Sequence, residues 1–179
     1  MLRLDIPGQE LFDEETYEIT ELPARQLVME HSLISISKWE SKWKKVFLTN
    51  DSKTAEEIAD YYKHMTLTKN VPDVVFKYLP MSTQKQILEY INDSNTATTI
   101  YGGEKNTKKE VYTAEVIYYQ MIALNIPMGC QKWHINRLLT LINVVNLKTN
   151  PGKARPNSDV LSSNYDENIR RRKLYGTEG

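Results

Sequence analysis

The spacing of apolar residues changes near residue 31 from a repeat of two to a repeat of three and four. In the first segment Leu2, Leu4 and Ile6 alternate with polar residues and would lie on one face of a β-strand. Further short β-prone runs follow an acidic turn. We therefore predict a small antiparallel hairpin or meander over residues 1–31. Two strands alone are marginal in water, so this element must pack on the rest of the chain or on another chain.

The following segment, residues 32–149, has a helical repeat. Between Ser32 and Val46, apolar side chains recur at spacings of three and four, which places Leu33, Ile36, Trp39 and Trp43 on one helical face. Further helices are predicted at 55–65, 73–78, 83–93, 113–125 and 131–148. Thr54 and Ser82 precede two of them and are predicted to be their N-caps.

The last two predicted helices are joined by a short turn, Ile-Pro-Met-Gly, and we expect them to form an antiparallel hairpin at the heart of the core. Residues 94–112 are rich in Ser, Thr, Asn, Gly and Lys and are predicted to be a loop, with a candidate strand at 98–101.

The expected fold class is α+β, mainly α: an N-terminal β-hairpin followed by an irregular bundle of five to seven helices. It occupies a single globular domain at residues 1–149. Residues 150–158 contain two prolines and a glycine and are predicted to be a linker. Residues 159–179 are predicted to be a basic C-terminal helix or tail.

Composition adds limits on the class of protein. The formal net charge is zero, which removes the simplest argument for a nucleic-acid partner. The one cysteine, Cys130, excludes an intramolecular disulfide framework and fits a reducing compartment. The sequence has no secretory signal pattern and no apolar run of the roughly 18–20 residues that a membrane helix requires. We expect a soluble protein of the cytoplasm.

Candidate catalytic, metal and cofactor sites fail on their spacing. Cys130 and His134 lie four apart on one predicted helical face, but no further ligand or base accompanies them. The Gly102–Gly103 pair lacks the spacing of a phosphate-binding loop. The carboxylate pairs at 14–15 and 56–57 face no second functional group. We predict no catalytic residue, no metal and no cofactor, and hence a protein that is not an enzyme.

Two groups of residues are candidates for contacts with another macromolecule. Trp39 and Trp43 could anchor a partner or stack on bases, although a pair at this spacing more often faces the core. The basic run at 170–173 could dock on an acidic surface or grip phosphates, or could complement a helix dipole without any ligand.

Three blocks of sequence, residues 29–48, 60–66 and 117–148, together with the ending RRRKLYGTEG, resemble the tail assembly chaperones of long-tailed phages. The resemblance covers most of the chain and rests on overall pattern. It implies a non-enzymatic protein of the host cytoplasm that binds the tape-measure protein, assists assembly of the tail-tube protein and associates with itself. A frameshifted longer form would also be expected. The resemblance carries over no catalytic residues. The candidate partner-contact residues are Trp39, Trp43, Tyr61, Tyr62, Arg170, Arg171 and Arg172.

Two other functions remain open on the sequence. The first is a structural virion component, such as a head–tail connector or a tail protein. The second is a small nucleic-acid-binding regulator that uses the helical hairpin and the basic tail.

Overall fold

A computed structural model describes the N-terminal strands and most of the helical region. The strands form an antiparallel ribbon. The described residues are 1–12, 17, 19–49, 51–98 and 112–149. The strands are β1 (Leu2–Ile6), β2 (Gln9–Phe12), β3 (Ile19–Leu22) and β4 (Arg25–Met29). The helices are α1 (Leu33–Trp43), α2 (Ala55–Met65), α3 (Asp73–Lys77), α4 (Met81–Asn92), α5 (Ala114–Ala123) and α6 (Ile135–Thr149), with a 3₁₀ helix (Met128–Lys132) between the last two. The predicted α+β, mainly α class is confirmed.

The ribbon consists of two ladders. β1 pairs with β4, and β2 pairs with β3, both antiparallel. Pro7 and Pro23 lie in the break between the ladders, where the absence of a proline N–H costs no ladder bond. The predicted alternation is confirmed in β1, because Leu4 and Ile6 are buried and Leu2 is half-buried, whereas Arg3 and Asp5 are exposed. The predicted acidic turn at 13–15 lies outside the described residues.

One short stretch, residues 28–32, joins the ribbon to the helices, and we call it the junction segment. On one side the chain that follows α2 pairs with it: the Glu30 N–H donates to the Met65 carbonyl at 2.8 Å, and the Leu67 N–H donates to the Val28 carbonyl at 2.8 Å. On the other side the Ile135 N–H, at the start of α6, donates to the His31 carbonyl at 2.9 Å.

Helix α1 leaves the junction segment and lies at the centre of the fold. Ser32 is its N-cap in a capping box with Ser35, and the helix ends at Lys44, which adopts a left-handed conformation. The predicted continuation to Val46 is therefore wrong by one turn. The predicted core face is confirmed, since Leu33, Ile36 and Trp39 are fully buried. α1 packs on α2, on α5 and on the 3₁₀ helix.

The predicted α5–α6 hairpin at the heart of the core is a second correction, because α5 packs chiefly on α1. The helix predicted to begin at Gln131 begins at Ile135 instead. Residues 128–132 form the 3₁₀ helix, and Trp133 is extended. His134 is paired with Ser32 of the junction segment, which keeps this part of the chain out of a regular helix.

Among the predicted caps, Thr54 is confirmed and Ser82 is wrong. The Thr54 hydroxyl accepts from the Glu57 N–H, and the Glu57 carboxylate accepts in return from the Thr54 N–H. Ser82 lies inside the first turn of α4, because the chain enters that helix at Pro80, whose carbonyl accepts from the Gln84 N–H at 3.0 Å.

In the described part of the chain, no helix is long and apolar enough to cross a membrane. Residues 94–98 contain no strand, and the rest of the candidate strand at 98–101 lies outside the described residues. The predicted linker at 150–158 and the basic tail at 159–179 also lie outside them.

A buried carboxylate fastens α1 to the start of α5. Glu40 is 7 % exposed, and one of its oxygens accepts from the Phe47 N–H while the other accepts from the Ala114 N–H, both at 2.8 Å. The second donor is the first residue of α5, where the partial positive charge of the helix dipole favours an anion. Glu40 therefore satisfies two backbone groups that are 67 residues apart in sequence (114 − 47 = 67).

We expect Glu40→Gln to destabilise the fold by about 1–3 kcal/mol, because an amide NH₂ would replace one acceptor oxygen and face a backbone N–H. Glu89→Gln is the matched control, since the Glu89 side chain is 67 % exposed and its change should stay within about 0.5 kcal/mol. Urea unfolding followed by circular dichroism measures both. Equal stabilities of the two variants would contradict the assigned role.

Candidate functional site

A groove of 470 Å³ lies between α2 on one side and α3 with the start of α4 on the other. Its lining is mainly apolar and aromatic, with one residue of each charge. The lining residues are Ala55, Glu56, Ile58, Ala59, Tyr62, Phe76, Lys77, Tyr78 and Gln84.

The local sequence explains why the groove forms. The Thr54 capping box fixes the start of α2. Pro72 directly precedes α3 and Pro80 directly precedes α4, so these two helices follow each other closely in the sequence. Phe76 is buried and anchors the short α3 against the core. The Gln84 side chain donates to the Leu79 carbonyl at 2.8 Å and so holds the α3–α4 corner.

The groove continues past its apolar part into a charged end of 200 Å³, which shares Glu56, Ala59, Phe76 and Lys77 with it. There Lys63 pairs with Asp73 at 2.7 Å, and Lys42 pairs with Asp60 at 2.5 Å.

Asp60 is the best-connected side chain at this charged end. It also accepts from Trp43 Nε1 at 2.8 Å, and His64 Nε2 lies 3.2 Å from it. Burial raises the pKa of Asp60, but the hydrogen bonds from Lys42 and Trp43 outweigh burial, so its net pKa is lowered. Asp60 therefore stays ionised at neutral pH and fixes Trp43 against α2.

Two apolar side chains at the groove remain open to solvent: Ile58 is 38 % exposed and Tyr78 is 56 % exposed. Met81, the first residue of α4, is 80 % exposed. Exposed apolar side chains grouped beside a concave surface are typical of a binding site for the apolar face of another chain.

A second cluster of polar side chains lies in the core, around the junction segment. His31 Nδ1 is 2.5 Å from the Tyr61 hydroxyl, which is 3.4 Å from Ser35 Oγ. The rings of His31 and His134 meet edge to face at 5.0 Å, and His134 Nε2 bonds the Tyr90 carbonyl at 2.9 Å. Within this cluster the hydrogen-bonding groups are used to bond one another and the backbone, which ties α1, α2, α4 and α6 together.

Burial governs the protonation of this cluster. Burial and, to a smaller extent, the neighbouring His134 lower the pKa of His31 to about 3. Burial also lowers the pKa of His134 and raises the pKa of Tyr61. His31 is therefore neutral at physiological pH, and its Nδ1 can accept a hydrogen bond from the Tyr61 hydroxyl.

The Cys130–His134 pair does not share a helical face, because Cys130 lies in the 3₁₀ helix and His134 follows it in an extended segment. Cys130 is a buried free thiol. Across the described ranges, no three His, Cys, Asp or Glu side chains come together in a way that could hold a metal ion.

The four aromatic residues that were predicted to contact a partner lie in two different environments, the core and the groove. Trp39 and Tyr61 are 0 % and 2 % exposed, so they pack in the core and offer no surface for docking. Trp39 Nε1 donates to the Glu57 carbonyl at 2.8 Å. Tyr62 is 8 % exposed but lines the groove, and Trp43 is half-buried at its charged end. Arg170, Arg171 and Arg172 lie outside the described residues.

Three groove residues were not predicted from the sequence pattern: Ile58, Phe76 and Tyr78. Ile58 belongs to the same helical stripe as Tyr62 and Met65, so its spacing alone predicts a core position. Tyr78 and Met81, on either side of Pro80, are exposed while the adjacent Leu79 is buried, so the sequence around this proline does not by itself mark the groove.

In the comparison with known proteins, no family model, no curated protein and no solved structure matches the chain.

The His31 cluster predicts how stability depends on pH. Between pH 6.5 and about 3 the unfolded chain binds a proton on His31 that the folded chain does not, so stability falls as the pH drops through this range. The rings of Phe47, of Tyr61 on α2 and of His134 before α6 pack against the His31 imidazole, and none of them carries a negative charge that would stabilise its protonated form. We expect His31→Gln to reduce the loss of stability between pH 7 and pH 5 by up to about 1.4 kcal/mol per pH unit.

Urea unfolding at half-unit steps of pH measures this slope. His64→Gln is the control, because burial lowers the pKa of His64 while Asp60 partly offsets that effect, and its slope should change less. Identical slopes for the wild type and His31→Gln would contradict the prediction.

Proposed function

We propose that this protein is a non-enzymatic phage tail assembly chaperone that works in the host cytoplasm. In this proposal it binds a helical segment of the tape-measure protein in the groove between α2 and α3–α4 and assists assembly of the tail tube. The sequence resemblance supports the identity of the partner. The groove, with Ile58 and Tyr78 exposed at its edge, is the observation that supports the mode of binding.

The dimensions of the groove suit a helix. Its α2 wall, from Ala55 to Tyr62, extends over about 10.5 Å at the helical rise of 1.5 Å per residue. Apolar side chains at positions i, i+3 or i+4, and i+7 of a bound helix span roughly 10.5 Å. Two turns of an amphipathic helix would therefore match the apolar part of the groove. A tape-measure protein, which is a long helical polypeptide, would offer many such segments.

The charges around the groove favour a weak and adjustable contact. Glu56 and Lys77 flank the apolar part from opposite walls, and neither has a salt-bridge partner among the ion pairs of the described residues. A standard protein–protein interface buries about 800 Å² on each partner, and this groove is smaller. A chaperone must leave when the tube subunits arrive, so modest affinity suits the proposed role.

Co-expression with the tape-measure protein of the same genome tests the proposal. We expect the tape-measure protein to become more soluble and to co-purify with the wild-type chain. Ile58→Lys and Tyr78→Asp should each weaken co-purification by about tenfold, because each places a charge against the apolar face of the bound helix. Leu88→Lys is the matched control: Leu88 is 55 % exposed on α4 and does not line the groove.

An insoluble tape-measure protein with nothing co-purifying would refute the proposal. Retention by the two groove variants at the level of Leu88→Lys would place binding elsewhere. Mass spectrometry of purified virions separates the chaperone, which should be absent from the particle, from a structural component. Binding of DNA that weakens steeply with salt would favour the regulator instead.

A further inference from the structure

Glu56 and Lys77 are charged side chains on opposite walls of the groove. Glu56 lies on α2 and Lys77 lies on α3. Both residues line the apolar part of the groove as well as its charged end, so they lie where the two parts meet. A chain that filled the apolar part and continued into the charged end would therefore pass between a carboxylate and an ammonium group.

These two charges differ from the others at the charged end of the groove. The other four charged residues there form the two ion pairs described above. Glu56 and Lys77 take part in none of the ion pairs or side-chain hydrogen bonds among the described residues, and both residues are exposed. One negative and one positive charge at the groove are therefore free to meet charges on a bound chain.

Each charge is also favoured by the helix that carries it. Glu56 lies in the first turn of α2, where the helix dipole favours an anion, and Lys77 lies in the last turn of α3, where it favours a cation. The dipoles account for the residue types without any ligand. They do not supply a partner side chain, so both charges depend on water until a bound chain covers them.

We propose that Glu56 and Lys77 select the partner by charge: the bound segment is an amphipathic helix with basic side chains along one flank of its apolar stripe and acidic side chains along the other. This inference rests on the proposed function, because it specifies the segment that the groove binds. A charge that loses its water on binding weakens the complex unless an opposite charge replaces that water. A segment with two basic or two acidic flanks would place like charges together on one wall and is therefore disfavoured.

The position of the two charges at the surface sets the size of the effect. Ion pairs that remain partly in water contribute little, so we expect one mismatched flank to weaken binding about fivefold at low salt. At about 1 M salt, where charges act over only about 3 Å, the difference between matched and mismatched segments should disappear. Binding through the apolar part of the groove should remain under those conditions.

Three synthetic helical peptides of about 15 residues test the charge selection on the full chain. All three carry the same stripe of leucines, and they differ only in their flanks: one basic and one acidic, both basic, or both acidic. Fluorescence anisotropy measures the dissociation constant of each peptide. The wild type should bind the mixed-flank peptide about fivefold more tightly than either of the others.

Reversing the charge of one wall should change which peptide binds best. Lys77→Glu should favour the peptide with two basic flanks, and Glu56→Lys should favour the peptide with two acidic flanks. Glu115→Lys and Lys148→Glu are the matched controls, because Glu115 also lies in the first turn of its helix, Lys148 lies in the last turn, and neither lines the groove. Both controls should keep the preference for the mixed-flank peptide. All four variants should keep the wild-type melting temperature, because these residues are exposed.

Failure of the charge selection and failure of the proposed function give different results. Equal affinity of the three peptides for the wild type would overturn the charge selection alone and leave the groove as a helix-binding site. The same holds if the preference is unchanged in Lys77→Glu and Glu56→Lys, or if it persists at high salt. If none of the peptides binds the wild type, the groove does not bind a helix, and the proposed mode of binding fails as well.

Discussion

Backbone hydrogen bonds on both sides of the junction segment hold the parts of this fold together. The ribbon pairs β4 with β1 up to Met29, and at the same residue the chain after α2 pairs from the other side. Three residues later Ser32 pairs with His134. A two-stranded ribbon is marginal in water by itself. Its stability therefore depends on its continuity with the junction segment, which is hydrogen-bonded to the helical region. The core around α1 lies next to the junction segment.

Each of several buried polar side chains near the junction segment forms a hydrogen bond with a backbone or side-chain group of another element. His31 bonds Tyr61 of α2, Glu40 bonds the first N–H of α5, and the Glu57 carboxylate bonds Lys45 beyond the end of α1. A buried polar group without a partner costs about 1–3 kcal/mol, so each of these contacts is satisfied in only one arrangement of the helices. The polar residues of the core therefore specify which helix packs where, while the apolar residues supply most of the driving force.

Local signals in the sequence predicted most of the helices, and a long-range contact accounts for the late start of α6. Thr54 caps its helix through Glu57, three positions away, so local spacing alone identifies it. Helix α6 starts late because of Ser32, which is about 100 residues distant and invisible to any local pattern. The candidate site shows the same contrast between local patterns and long-range packing. Tyr62 was predicted as a contact residue and lines the groove, but burial of Tyr61 and exposure of Ile58 depend on where α3 and α4 pack, which helical spacing does not encode.

The position of the junction segment also has a consequence for synthesis on the ribosome. Its own residues leave the ribosome early, yet its partners at 134–135 follow about 100 residues later, which takes roughly 5–20 s at ordinary rates of translation. During that interval His31 and Ser32 lack the backbone partners that His134 and Ile135 provide. The junction segment is therefore bonded on both sides only once the start of α6 has left the ribosome.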